Sequence, residues 1–178
     1  MSSQPDTNRD RLKRIYDNYR NVEMSRDYYA CRLKRFKDYN RAYEIIIAIG
    51  SSTTVAGWLI WQTEIGKVSW AIFAGIVAVL TIIKPILQLP KEIERYSKLH
   101  TGYCDLYYDY RHIVDEVKAG GGITKKLSES TAKAENRYRE LALQDDEKPS
   151  MRLLRKCQTA VKQRVDSFDK WWPSQLKS

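Results

Sequence analysis

At 178 residues, with 31 Lys/Arg against 22 Asp/Glu and a formal charge of +9, the chain has room for one domain or for a small membrane anchor carrying one further module. Acidic residues are interleaved with the basic ones and no DNA- or RNA-binding motif accompanies the excess, so no nucleic-acid partner is expected. A mean hydropathy of −0.57 describes a polar chain, but its apolar residues are gathered in two uncharged runs near the middle.

The first 44 residues predict a cytoplasmic amphipathic helix. Asp6-Thr7-Asn8 offers capping oxygens at its start. Leu12, Ile15, Tyr19, Val22, Tyr29, Leu33, Phe36 and Tyr43 then follow steps of three and four residues, with Arg26 and Asn40 as polar interruptions. Such a seam lets a helix pack along a partner for many turns.

Ile45–Trp61 and Val68–Ile83 are the uncharged runs, with only Gln62–Lys67 between them. Together with Pro85, Ile86 and Leu87 they predict a transmembrane hairpin over 45–89, with spans at about 45–61 and 68–87. Trp58, Trp61 and Trp70 fall at the hairpin tip, where an aromatic belt places them. Arg26, Arg32, Lys34, Arg35, Lys37 and Arg41 precede the first span and Lys84, Lys91, Arg95 and Lys98 follow the second, against Lys67 alone in the loop. The positive-inside rule then makes both termini cytoplasmic, and anionic lipid accounts for the juxtamembrane charge. The competing reading is a soluble bundle that buries the hairpin. Cys31, Cys104 and Cys157 all lie in cytoplasmic segments and are expected as free thiols.

Gly50, Thr54 and Gly57 share a face of the first span, with Thr53 beside them and Ser51 partly round the side. Ala71, Ala74, Gly75 and Ala78 form a matching small face on the second. Small residues let membrane helices approach closely and hydroxyls bond across the interface. The set serves either packing within the hairpin or the lining of a pore built from several hairpins. Glu44 and Lys84 stand at the cytoplasmic membrane interface, where they pair across the hairpin, ring a pore mouth or snorkel to headgroups.

After the second span Tyr96, Leu99, Tyr103, Leu106, Tyr110, Ile113 and Val117 keep an uninterrupted heptad register over 90–119. Pro90 sits where a first-turn proline is tolerated, and Gly120-Gly121-Gly122 ends the helix. Residues 120–178 predict two more cytoplasmic helices. Leu127, Thr131, Ala134, Tyr138 and Leu141 mark one, Asp145–Ser150 breaks it, and Met151, Leu154, Cys157, Val161, Val165 and Phe168 mark the other. Trp171 and Trp172 pack on the stalk, a neighbouring subunit or the membrane interface. The expected class is therefore an all-α membrane protein, a two-helix transmembrane hairpin whose long cytoplasmic amphipathic helices form a helical stalk or bundle.

No catalytic, cofactor or metal site is expected. His100 and Cys104 have ligand-like spacing with Asp105 and Asp109 nearby, but two potential ligands on one helix turn read better as polar residues on the outside of a stalk helix. Gly120–Lys126 lacks the spacing and the strand of a phosphate loop.

The tyrosine-rich first helix, the tight hairpin and the helix carrying Tyr96-Ser97-Lys98-Leu99 and Tyr103-Cys104-Asp105-Leu106 resemble the SLATT family. These are two-transmembrane effector domains associated with nucleotide-signalling (SMODS) and SLOG sensor proteins. The stretch from Tyr138-Arg139-Glu140-Leu141 through Pro149 to Arg155-Lys156 is similar to the tail of some members. The resemblance implies a bacterial inner-membrane, homo-oligomeric, pore-forming effector of an antiviral defence system. Its implied partners are the lipid bilayer and a cytoplasmic sensor or nucleotide-signalling protein. The residues alone also admit a non-conducting membrane scaffold that recruits a cytoplasmic partner.

Overall fold

The computed structural model describes residues 4–51, 64–120 and 124–165, and every element among them is a helix. In chain order they are α1 (Gln4–Ser51), α2 (Glu64–Leu87), α3 (Leu89–Gly120), α4 (Lys125–Ala142) and α5 (Met151–Arg164). The all-α class expected from the periodicities is observed.

The amphipathic seam and the start of the first uncharged run belong to one helix. α1 is 48 residues long with no break where the seam gives way to Ile45. No glycine or proline separates Tyr43 from Ile49, so nothing local ends the helix there. At about 1.5 Å per residue α1 extends roughly 70 Å.

α2 and α3 are joined by a single residue. Gln88 takes φ 43°, the left-handed region, and its carbonyl accepts from the amides of Lys91 (2.9 Å) and Glu92 (3.2 Å). Pro90 follows in the first turn of α3, where its missing N–H leaves no hydrogen bond unmade. At the far end of the loop after α3, Thr124 caps α4 with its hydroxyl accepting from the Leu127 amide at 3.2 Å. The Thr124-Lys125-Lys126 stretch is thus a helix start.

Two compact units divide the chain: Met1–Cys31 with Tyr96–Ser178, and Arg32–Arg95. The first is a four-helix bundle whose spine is α3. All seven of its heptad residues, Tyr96, Leu99, Tyr103, Leu106, Tyr110, Ile113 and Val117, are at most 3% exposed. Leu12, Ile15, Val22 and Tyr29 of α1 are buried as the seam predicts, whereas Tyr19 is only half-buried. Tyr16 and Tyr28, off the predicted seam, are buried too, so α1 presents a broad face to several helices rather than a narrow one to a single partner. Leu127 and Ala134 of α4 complete the core, with Leu153, Cys157 and Val161 of α5. Helices α3 and α4 approach closely at Gly102, where a Cβ would stand 2.6 Å from the Leu141 side chain.

The face predicted for the last helix needs correcting. Leu153 is buried and Met151 is 56% exposed, so the stripe runs in steps of four from Leu153 and omits Met151. The reason lies at the helix start, where the Ser150 amide donates to the Tyr28 hydroxyl at 3.1 Å and fixes the helix rotation. The expected continuation to Phe168, and the pair Trp171 and Trp172, lie outside the described residues.

In the second unit, Leu33 and Tyr43 are buried and Phe36 is half-buried with the Arg32 guanidinium 5.4 Å over its ring.

Candidate functional site

The bundle is closed by a knot of tyrosines around two adjacent aspartates. The chain leaves α4 through turns in which the amides of Leu143, Gln144 and Asp145 donate to the carbonyls of Arg139, Leu141 and Ala142. This winding delivers Asp145 and Asp146 to phenols from α1 and α3. Tyr29 and Tyr103 each donate to Asp145 Oδ1 at 2.8 Å. Tyr28 donates to Asp146 Oδ2 at 3.0 Å and Tyr96 to Asp146 Oδ1 at 2.9 Å. The Asp146 amide in turn donates to the Tyr29 hydroxyl at 3.2 Å.

The rings hold the hydroxyls in place. Tyr29 stacks on Tyr103 with centroids 5.4 Å apart and planes 9° from parallel, and on Tyr96 at 6.1 Å. Tyr28 meets Tyr29 edge-on at 5.1 Å. Burial, with Asp145 alongside, pushes the Tyr29 and Tyr103 phenols well above the ordinary tyrosine range, so both remain protonated donors. Hydrogen bonds to a carboxylate are the stronger kind, and each aspartate here joins α1 to α3 through the α4–α5 connection.

A second polar cluster lies on the same stretch of α1. Glu23 is 5% exposed, with Arg164 of α5 at 3.4 Å and Arg26 at 3.8 Å. Arg164 also bonds Asp27, which accepts from Arg26 at 3.0 Å. The Arg26 guanidinium lies 4.2 Å over the Tyr107 ring, and Tyr107 stacks on Tyr19 at 5.5 Å. Arg26 interrupts the apolar seam because this site requires a cation. Desolvation raises the Glu23 carboxyl above its usual range despite Arg164 and Arg26, which pull it down.

His100 and Cys104 do approach each other, with Nε2 and Sγ 3.5 Å apart. Asp105 and Asp109 turn instead to Arg137 of α4, at 2.9 and 3.1 Å. Among the described residues no three potential ligands gather into a metal site. An open groove of about 610 Å³ runs between α3 and α4, lined by residues that include His112, Glu116, Lys126 and Lys133. Its charges are largely paired with one another, as in Lys126 with Glu116 at 4.0 Å.

In the second unit the notable surface is α2. Gly66–Lys84 forms a 19-residue stretch of mean hydropathy 2.0 that is only 6% buried. Val68, Ile72, Ile76, Val79, Ile82 and Ile86 are each more than half exposed. The small residues Ala71, Gly75 and Ala78 are exposed beside them, and no described neighbour lies within 4 Å of where a Gly75 Cβ would sit. The Thr81 hydroxyl is satisfied within the helix, donating to the Val77 carbonyl at 2.8 Å. Ile45, Ile46 and Ile49 of α1 are exposed as well.

Of the predicted hairpin residues, Gly50 and Ser51 end α1, and Trp70 lies in α2. Thr53, Thr54, Gly57, Trp58 and Trp61 lie outside the described residues. The suggested pairing of Glu44 with Lys84 does not form. Glu44 accepts from Asn40 Nδ2 at 2.9 Å, one turn back on its own helix, and Lys84 is exposed.

The knot went unread in the sequence, where Asp145 and Asp146 appear only as part of a helix break. The signal that could have found it was stoichiometric: 12 tyrosines in one chain, several on buried seams, require acceptors for their hydroxyls. No protein-family model, curated protein or solved structure matches this chain.

Proposed function

We propose that the chain is a bacterial inner-membrane effector that inserts its apolar hairpin, associates with copies of itself and opens a pore when its helical bundle is triggered. The observation that carries this reading is α2, whose Gly66–Lys84 stretch is apolar, 19 residues long and 6% buried. At about 1.5 Å per residue it matches a hydrocarbon core of roughly 30 Å. Water is a costly neighbour for so large a continuous apolar surface, and a bilayer is the environment that suits it. The exposed small face at Ala71, Gly75 and Ala78 supports association between copies, since among the described residues it has no close neighbour at Gly75. The basic residues flanking the hairpin support cytoplasmic termini. The likeness to SLATT effectors supports a role in antiviral defence, with a cytoplasmic sensor or nucleotide-signalling protein as the source of the trigger.

Dye and ion release from liposomes, measured across protein-to-lipid ratios, tests the reading. Release should rise steeply with protein density, and replacing Thr53 and Thr54 with leucine should abolish it while leaving insertion intact. Unchanged leakage in that variant would remove the hydroxyl face as the pore lining. Tight vesicles containing inserted protein, even with the genomic partner added, would point to the non-conducting scaffold. The separately cored bundle is the observation in favour of that second reading.

A further inference from the structure

We propose that the outer face of α5 is a docking surface for anionic lipid, by which the bundle rests on a bilayer. From Lys148 to Arg164 the chain carries six cations and no acid. Leu153, Cys157 and Val161 turn one side of α5 into the core, and Arg152, Arg155, Lys156 and Lys162 are exposed on the other. At about 100° per residue these four fall within an arc of about 120°, over roughly 15 Å of helix. Thr159 and Gln163 are exposed among them. Of the five cations of α5, only Arg164 forms an ion pair among the described residues, with Glu23 and Asp27 of α1. That contact at one end, and the bond from the Ser150 amide to the Tyr28 hydroxyl at the other, seat the buried stripe inward. The basic face is therefore a fixed surface of the bundle.

The face works against the helix that carries it. Arg152 stands three residues before Arg155 and four before Lys156, positions at which like charges repel on a helix surface. It also stands in the first turn, at the positive end of the helix dipole, where no acidic residue offsets it. Ser150 at the N-cap adds no side-chain hydrogen bond. Nothing inside the helix gains from these cations, so an external anion is what their arrangement suits.

Exposed apolar side chains choose among anions. Met151 is 56% exposed and continues the edge of the basic arc. Leu143, in the connection leading into α5, is 87% exposed. A bilayer interface takes both kinds of group, the cations at its phosphates and the leucine and methionine at its acyl boundary. A nucleic-acid backbone has no use for the apolar pair, and no nucleic-acid-binding motif accompanies the face. The inference draws on the membrane reading only for a bilayer within reach; the surface itself belongs to the bundle and not to the apolar hairpin.

The test places the full-length protein in nanodiscs of phosphatidylcholine, or of phosphatidylcholine with about 30% phosphatidylglycerol. Brief acetylation read by mass spectrometry then reports each lysine. Lys156 and Lys162 should react roughly threefold or more slowly in the anionic discs, and at about 1 M salt the difference should vanish. Lys125 and Lys133 of α4 are exposed references whose rates should match in the two lipids. Arg152→Gln with Arg155→Gln, both at exposed positions, should return Lys156 and Lys162 to the rates seen in phosphatidylcholine. Equal rates in the two lipids, with protein retained on both kinds of disc, would overturn the proposal while sparing the inserted hairpin, and would leave the face to an acidic protein. Equal slowing of Lys125 and Lys133 would also overturn it, since the attraction would then belong to the whole chain. Protein that joins only anionic discs, with Lys156 and Lys162 protected, upholds the face and removes the inserted hairpin. Protein that joins neither kind of disc overturns both readings.

Discussion

Tyr29 and Tyr103 donate to the same oxygen of Asp145, each at 2.8 Å, with their rings stacked 5.4 Å apart. One carboxylate thus decides whether two phenols, one from each long helix, have an acceptor. Tyr103 is fully buried, so water cannot replace what Asp145 supplies.

Asp145→Ala should therefore destabilise the bundle by on the order of 2 kcal/mol, the scale of a charged acceptor lost beneath buried donors. Asp145→Asn keeps an acceptor oxygen and should lose about half as much. Tyr103→Phe removes one donor and leaves Asp145 its bond to Tyr29, so its cost should be smaller than that of the alanine variant. Denaturant unfolding followed by helical circular dichroism would rank the three. Equal stability of Asp145→Ala and the parent would show that the knot is incidental.

The same burial predicts an alkaline limit. Tyr29, Tyr103 and Tyr110 have phenols raised above the ordinary value of 10.0, chiefly by desolvation. A raised folded value means that the unfolded chain loses these protons first as pH climbs. The stability they contribute is whole below about pH 10 and drains away above it. Tyrosinate absorbance should accordingly appear together with loss of helix in one cooperative step. Gradual ionisation of the buried phenols with helix content unchanged would contradict this.

Glu23 should act in the opposite pH range. Its folded value is raised from 4.5 by desolvation, with Arg164 and Arg26 opposing. Between the unfolded and folded values the native state holds the extra proton, so stability from this group is complete below the unfolded value and lost as pH rises through the folded one. At neutral pH the native chain thus carries the cost of a desolvated charge. Glu23→Gln should be more stable than the parent at pH 7, and the difference should shrink toward pH 4. Paired melts at the two pH values would measure it. A variant less stable at pH 7 would mean that the ion pairs with Arg26 and Arg164 outweigh the desolvation.

Legibility followed the kind of force involved. The seam of α3 was readable because hydrophobic burial is periodic, and every predicted position from Tyr96 to Val117 is buried. Pro90 and the glycine run bounded that helix for local steric reasons that any sequence displays. The α1 seam was readable only in part, since Tyr16 and Tyr28 also enter the core and Arg26 is placed by Tyr107, a residue remote in sequence. The knot and the Glu23 cluster were not readable. A hydrogen bond from Tyr29 to Asp145 has no period, and it exists only once three helices have been brought together. Likewise, Glu44 chose Asn40 one turn away over Lys84, because an i,i+4 neighbour is already in reach.

The α2 surface separates insertion from assembly. Ile76 lies on the branched apolar stripe, 51% exposed, and Gly75 lies on the small face with no described neighbour within 4 Å of where its Cβ would sit. Ile76→Lys places a charge at the middle of the stretch, where translocon scales assign about 3 kcal/mol against insertion. The fraction retained in the membrane after a carbonate wash should fall. Gly75→Leu instead adds apolar bulk, so insertion should hold or improve while close approach of a second helix is blocked. Chemical cross-linking in liposomes should show fewer oligomers for Gly75→Leu, and dye release should fall with them. If Gly75→Leu leaks as the parent does, the small face does not mediate assembly. If Ile76→Lys fractionates unchanged, the bilayer is not what covers α2. Among the described residues no atom lies within 4 Å of a Cβ at position 75, so a loss of release in that variant does not trace to a clash with them.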